Sequence, residues 1–202
     1  MRIGVLGYQG GVYEHVASLK KAYERLGISG EVVIVKRRGD LEGLDGIIIP
    51  GGESTTIGVL ARRLGVLERL RESILEGLPA MGTCAGAIMM ASKSRDRVVG
   101  EKSQPLLGVM NIEVVRNYFG RQRESFEVDL DIEGVGLFRG VFIRSPAIVG
   151  AEPPARIIGW ISYEGERVGA VAVQGHLLAT SFHPELTGDT RLHEYWLRGI
   201  KR

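Results

Sequence analysis

The spacing of apolar positions along this chain changes about half-way. Arg2 to Leu6 is a short apolar run that stops at Gly7, the pattern of a buried strand, and Val12, Val16, Leu19 and Leu26 then recur with helical spacing up to Gly27. Residues 31–35 predict a second strand. Residues 46–49 predict a third, whose three consecutive isoleucines suit a strand covered on both faces, and Pro50-Gly51-Gly52 ends it. A helical stretch follows, broken at Gly65, with Val66, Leu67, Leu70 and Ile74 on one apolar stripe before Gly77. Residues 79–83 supply a short fourth strand, and 87–91 a helical run. Past about residue 108 the runs become strand-like: 112–115, 126–130, 141–143, 157–161, 168–173 and 177–182. Hairpin turns are expected around Glu164-Gly165-Glu166 and Gln174-Gly175-His176, and a last helix from Asp189, a candidate N-cap, to Leu197.

Strands alternating with helices at these separations predict an α/β fold. Its doubly wound, mostly parallel sheet has helices on both faces, because parallel neighbours need a crossover and a helix is the usual one. The C-terminal half is strand-rich. Ligands in such sheets sit at the carboxyl ends of the strands. At 202 residues, the chain suits one domain spanning 1–202.

Composition narrows the class. A hydrophobic share of 44% with 25% charged residues describes a folded chain rather than a disordered one. The formal charge of +2 is too small and scattered for a nucleic-acid footprint. No apolar run approaches the roughly 18 residues that cross a bilayer, so no membrane association is expected. The single cysteine allows no internal disulfide, and no charged leader with an apolar core precedes the first strand, which sets the expectation of a reducing, cytoplasmic setting. Arginine supplies 20 of the 26 basic residues, a bias compatible with a heat-adapted source.

The candidate chemistry begins at Gly82-Thr83-Cys84-Ala85-Gly86, which has the spacing of a nucleophile elbow with cysteine in the serine position. Small flanking residues suit a sharp, strained turn. The helix start beyond it brings unsatisfied N–H groups and a positive dipole near the sulfur, favouring a thiolate. The plain alternative for Cys84 is a small buried hydrophobe. A cysteine nucleophile needs a base and a group to orient that base. Pro184 biases His183 toward extended backbone, and in an extended segment residues two apart project to one side, so Glu185 is expected to reach the imidazole and fix its tautomer. His15, His176 and His193 lack this arrangement and are read as surface or core residues. The glycines of Gly51-Gly52-Glu53-Ser54-Thr55 let backbone approach a ligand, making the Gly52 and Ala85 amides a candidate oxyanion hole. That loop lacks the lysine of a P-loop, and Gly7-Tyr8-Gln9-Gly10-Gly11 fails the dinucleotide spacing, so nucleotide binding is not expected.

These residues resemble the class I glutamine amidotransferases, and among them the glutaminase subunits of pyridoxal 5′-phosphate synthase. The likeness runs from end to end. Beyond the two loops above it takes in Arg116-Asn117, Gly120-Arg121-Gln122, Ser125-Phe126-Glu127, Phe142-Ile143-Arg144 and Phe182-His183-Pro184-Glu185-Leu186-Thr187. Gly7 and Tyr8 stand where the family usually has alanine and leucine. The resemblance implies Cys84, His183 and Glu185 as catalytic residues, and glutamine held by Gly52, Glu53, Ser54, Arg116, Ile143 and Arg144. Gln9, kept in the first loop, is a further oxyanion candidate. No metal or bound cofactor is implied. The implied reaction is hydrolysis of L-glutamine to glutamate and ammonia through a γ-glutamyl thioester on Cys84. The implied partner is a separate (βα)8-barrel synthase subunit, joined in a large hetero-oligomer, which uses the ammonia to make pyridoxal 5′-phosphate. A glutaminase serving a different synthase, or a γ-glutamyl peptidase, fits the same frame. A farther rival is a non-enzymatic module in which Cys84 senses oxidants.

Overall fold

The computed structural model describes residues 1–101, 103–120 and 125–200. Arg121 and Gln122 of the resemblance motif at 120–122 lie outside the described residues. The N-terminal half alternates strand and helix as the apolar spacing predicts: β1 (Arg2–Leu6), α1 (Val12–Leu26), β2 (Glu31–Val35), β3 (Gly46–Ile49), α2 (Ser54–Arg63), α3 (Leu67–Leu75), β4 (Ala80–Thr83) and α4 (Ala85–Met90). Helix α1 ends where Gly27 adopts the left-handed conformation, φ 61°, and the Ile28 N–H reaches back to the Tyr23 carbonyl at 2.9 Å. Gly65, φ 67°, separates α2 from α3 as expected.

Strands follow in succession: β5 (Ala91–Asp96), β6 (Gly100–Glu101), β7 (Met110–Arg116), β8 (Phe126–Ile132), β9 (Gly136–Phe142), β10 (Ala147–Ala151), β11 (Arg156–Tyr163), β12 (Glu166–Gln174) and β13 (Leu177–Thr180), before α5 (Arg191–Ile200) closes the chain. Three of these strands, β5, β6 and β10, have no counterpart in the apolar pattern. Most of β5, Ala-Ser-Lys-Ser-Arg-Asp, is polar or exposed, so it carries no burial signal. The helix expected at 87–91 starts two residues earlier and ends at Met90, and Ala91 already belongs to β5. The last helix begins at Arg191 rather than Asp189, whose carboxylate accepts the Arg191 N–H at 3.0 Å.

The described strands form one sheet in the order β2-β1-β3-β4-β13-β12-β10-β7-β5-β6, with β11, β8 and β9 continuing from β12. From β2 to β13 every neighbour is parallel. Beyond β13 the pairings are antiparallel apart from β5 with β7. Strand alternation divides the core between two faces. Ile47 and Ile49 pack with Ile57, Leu70 and Met89 of α2, α3 and α4, whereas Ile48 packs with Leu19 and Trp196 of α1 and α5. All three isoleucines have zero exposure, and burying each contributes roughly 1.5–3 kcal/mol. No helix among the described residues is long and apolar enough to cross a membrane.

Candidate active site

The pairing of β4 with β13 brings distant parts of the sequence together. Thr83 lies opposite Thr180, so the residues just beyond each strand share one end of the sheet. Cys84 stands immediately after β4 and donates its backbone N–H to the Thr180 carbonyl at 2.8 Å. Its backbone, φ 50° and ψ −104°, lies in a region that costs a non-glycine residue about 1–3 kcal/mol. That bond and those from the Ala87 and Ile88 N–H groups to the Cys84 carbonyl hold the strained turn. A side chain at Gly86 would meet the Ile49 carbonyl oxygen at 1.9 Å, so only glycine lets α4 start this close to β3.

His183 follows β13 and ties its backbone N–H to the Val141 carbonyl of β9 at 2.9 Å. The segment does not stay extended, because Pro184 starts a 3-10 turn over Pro184–Leu186. Glu185 still brings Oε1 to 2.8 Å from His183 Nδ1, which leaves Nε2 free, and Cys84 and the ring stand side by side against Gly51. Burial disfavours the charged ring, but its interactions with Cys84 and Glu185 outweigh it and push His183 up to about 10. The surroundings of the ring thus favour its protonated form, the form that carries a proton for a leaving group. A side chain at Gly51 would come within 2.4 Å of His183 Cε1, so this glycine leaves the ring its place.

A cavity of about 410 Å³ opens over Cys84 and His183. Its walls include Gln9, Gly52, Glu53, Ser54, Ala85, Arg116, Ile143 and Arg144, so every residue singled out from the sequence lines it except Glu185, which stands behind His183. The Glu53 carboxylate caps α2, accepting the Thr55 and Thr56 N–H groups at 3.1 and 2.6 Å, and pairs with Arg116 at 3.0 Å. Burial opposes its ionisation, yet the hydrogen bonds from Thr56 and Thr55 hold it down to about 2. Arg116 also donates to Gln104 Oε1 at 2.7 Å, whereas Arg144 has no ion-pair partner among the described residues. Gln9 Oε1 accepts the Glu53 N–H at 3.2 Å and so braces the turn that carries Gly52.

Residues 5–202 match the model of the SNO glutamine amidotransferase family. The chain belongs to the SNO glutamine amidotransferase family. It is 76% identical, over the full length of both chains, to a protein of Aeropyrum pernix named pyridoxal 5′-phosphate synthase subunit PdxT. A Staphylothermus marinus protein of the same name is 61% identical over 99% of this chain and 98% of its own. A crystal structure titled as a glutamine amidotransferase superposes with a TM-score of 0.83 at 45% identity, covering 99% of each chain.

In this SNO-family amidotransferase the two halves of the sheet contribute different parts of the site. Cys84, His183 and Glu185 follow the parallel strands β4 and β13, while Arg116 ends β7 and Ile143-Arg144 follow β9 in the antiparallel half. Behind Cys84, His183 and Glu185 lies a buried set that local sequence patterns do not mark. His15 of α1 and His193 of α5 are fully buried, with His15 Nδ1 3.0 Å from His193 Nε2 and His15 Nε2 3.0 Å from Thr83 Oγ1. Of the surface and core placements expected for them, core is the one found, and nothing in their local spacing foretells that α1 and α5 face one another here. Burial lowers His15 well below its ordinary value, helped by the charges of His193 and His183. Burial also lowers His193, to about 4, against the opposing charge of Asp189.

The His193 shift fixes a sign. Between pH 6.5 and about 4 the unfolded chain binds a proton there that the folded chain refuses, so stability is complete above 6.5 and lost as pH falls. A drop to about 4 corresponds to roughly 3 kcal/mol at the acid end of this window. Urea unfolding of wild type and His193→Gln at pH 7 and pH 4.5 is expected to show the shallower loss in the variant. Equal losses in the two proteins would contradict the assignment.

Proposed function

We propose that this chain hydrolyses L-glutamine to L-glutamate and ammonia, with its 202 residues acting as one glutaminase domain. The observation that carries the reading is the chain of contacts from Cys84 through His183 to Glu185, at the floor of a cavity walled by both signs of charge. Glu53, anionic across the working pH range, faces the substrate ammonium. Arg144, free of any ion pair among the described residues, takes the α-carboxylate in a fork, and Arg116, Ser54 and Ile143 complete the pocket.

The Cys84 thiolate attacks the side-chain amide carbon, and the C=O electrons move onto oxygen between the Gly52 and Ala85 N–H groups. Each such donor is worth about 3 kcal/mol in comparable sites. The tetrahedral adduct collapses as His183 gives its proton to the departing nitrogen, leaving a γ-glutamyl thioester and ammonia. Neutral His183 then takes a proton from water, the hydroxide oxygen bonds to the carbonyl carbon, and the C–S bond breaks. Glutamate leaves, and thiolate and imidazolium are restored. Glu185 accepts the Nδ1–H throughout and keeps Nε2 facing the reaction.

The relatives are named as subunits of pyridoxal 5′-phosphate synthase. The ammonia accordingly passes to a barrel-shaped synthase subunit in a shared hetero-oligomer, and the chain works in the cytoplasm. Ammonia release from glutamine, measured with and without the synthase subunit of the same source, tests both parts. Turnover is expected to rise on adding the synthase. Identical rates would remove the partner, and no release in either case would remove the glutaminase itself.

A further inference from the structure

Glu185 has two carboxylate oxygens, and the triad uses one. Oε1 accepts the His183 Nδ1–H, while Oε2 is buried without a hydrogen bond of its own. His15 Nε2 stands 3.3 Å from Oε2, with both side chains wholly removed from solvent. The same nitrogen lies 3.0 Å from Thr83 Oγ1, which also accepts the Gly51 N–H at 3.1 Å. On the far side of the ring, His15 Nδ1 meets His193 Nε2, and His193 Nδ1 is buried with no partner.

These contacts select one pair of tautomers. With its hydrogen on Nε2, His193 donates to His15 Nδ1. His15 must then carry its own hydrogen on Nε2, pointing toward Thr83 Oγ1 and Glu185 Oε2. The opposite assignment turns a ring lone pair toward a carboxylate 3.3 Å away, and it strands an N–H on His193 Nδ1. Buried N–H groups without acceptors are rarer than under-used acceptors. We propose that His15 is a positioning residue for the triad: its Nε2–H, fixed by His193, faces Glu185 Oε2 and keeps the carboxylate turned so that Oε1 stays on His183. Burial holds His15 neutral, so the interaction is that of an N–H dipole with a carboxylate rather than of two full charges. His15 does not line the cavity, and its effect reaches the substrate only through Glu185 and His183.

The proposal rests on the glutaminase reading. It is tested on the full chain, with the synthase subunit present, by ammonia release from wild type, His15→Leu and His15→Gln. The Gln side chain can place an N–H near the position of imidazole Nε2. His15→Leu is expected to lower kcat about 10–100-fold, the range for partners that orient a working ligand, with KM for glutamine unchanged. His15→Gln is expected to recover most of that loss. A Leu variant with wild-type kcat, or a Gln variant no better than Leu, overturns the proposal. Should the Leu variant not fold, long-range proton–nitrogen NMR of the wild-type chain reads the tautomers directly. Hydrogen on Nε2 of both His15 and His193 is expected, and hydrogen on His15 Nδ1 overturns it. Failure of the glutaminase reading looks different: wild type itself releases no ammonia, and the proposal falls with it.

Discussion

Cys84→Ala is expected to bring glutamine hydrolysis down to background while leaving the fold intact. Removing the nucleophile of a comparable triad costs on the order of 10⁶-fold in kcat, because no other group can form the covalent intermediate. The fold survives for reasons visible at the elbow. Alanine keeps the Cβ, so the strain at φ 50° is unchanged, and the bond from residue 84 to the Thr180 carbonyl uses backbone alone. Thermal unfolding of the variant should match wild type to within a few degrees. Wild type mixed with glutamine and quenched in acid should show a γ-glutamyl adduct by mass spectrometry, and the variant none. Residual turnover within tenfold of wild type would mean that the sulfur is not the nucleophile.

Glu185→Gln is expected to lower kcat on the order of 10⁴-fold, the loss seen when the orienting carboxylate of a triad becomes an amide. The amide removes a negative charge that helps hold the proton on His183, so the ring becomes less basic than its present value of about 10. A second effect follows with a definite direction. The alkaline limb of kcat/KM, set by loss of the His183 proton, moves to lower pH in the variant. Pre-steady-state ammonia release over pH 6 to 11 (roughly the range bracketing both ring values) reads both changes. A variant with an unmoved alkaline limb would separate Glu185 from the imidazole.

Much of this was legible in the residues. The apolar run at 46–49 and the glycine-flanked Cys84 announced a strand and an elbow, because burial on both faces and a tight turn leave strong compositional marks. The polar strand β5 left none, since a strand with few buried side chains has no reason to be apolar. The His183–Glu185 contact was foreseen by a route the molecule does not take: the two residues meet across a 3-10 turn, not along an extended segment. Proline's fixed φ serves a turn as well as a strand, so the sequence alone did not decide between them. His15 was hidden for another reason. Its significance depends on α1 lying against α5 and on the position of Glu185, and no spacing within one helix encodes an encounter between residues 178 positions apart, such as His15 and His193.

The split of the site between the two halves of the sheet has a consequence for substitutions far from the sulfur. Cys84 and His183 follow β4 and β13, which pair in parallel in the buried centre of the sheet, whereas Arg116 ends β7 and Arg144 follows β9. Because the His183 N–H is tied to the Val141 carbonyl of β9, a shift of that strand carries the imidazole and the Ile143-Arg144 wall together.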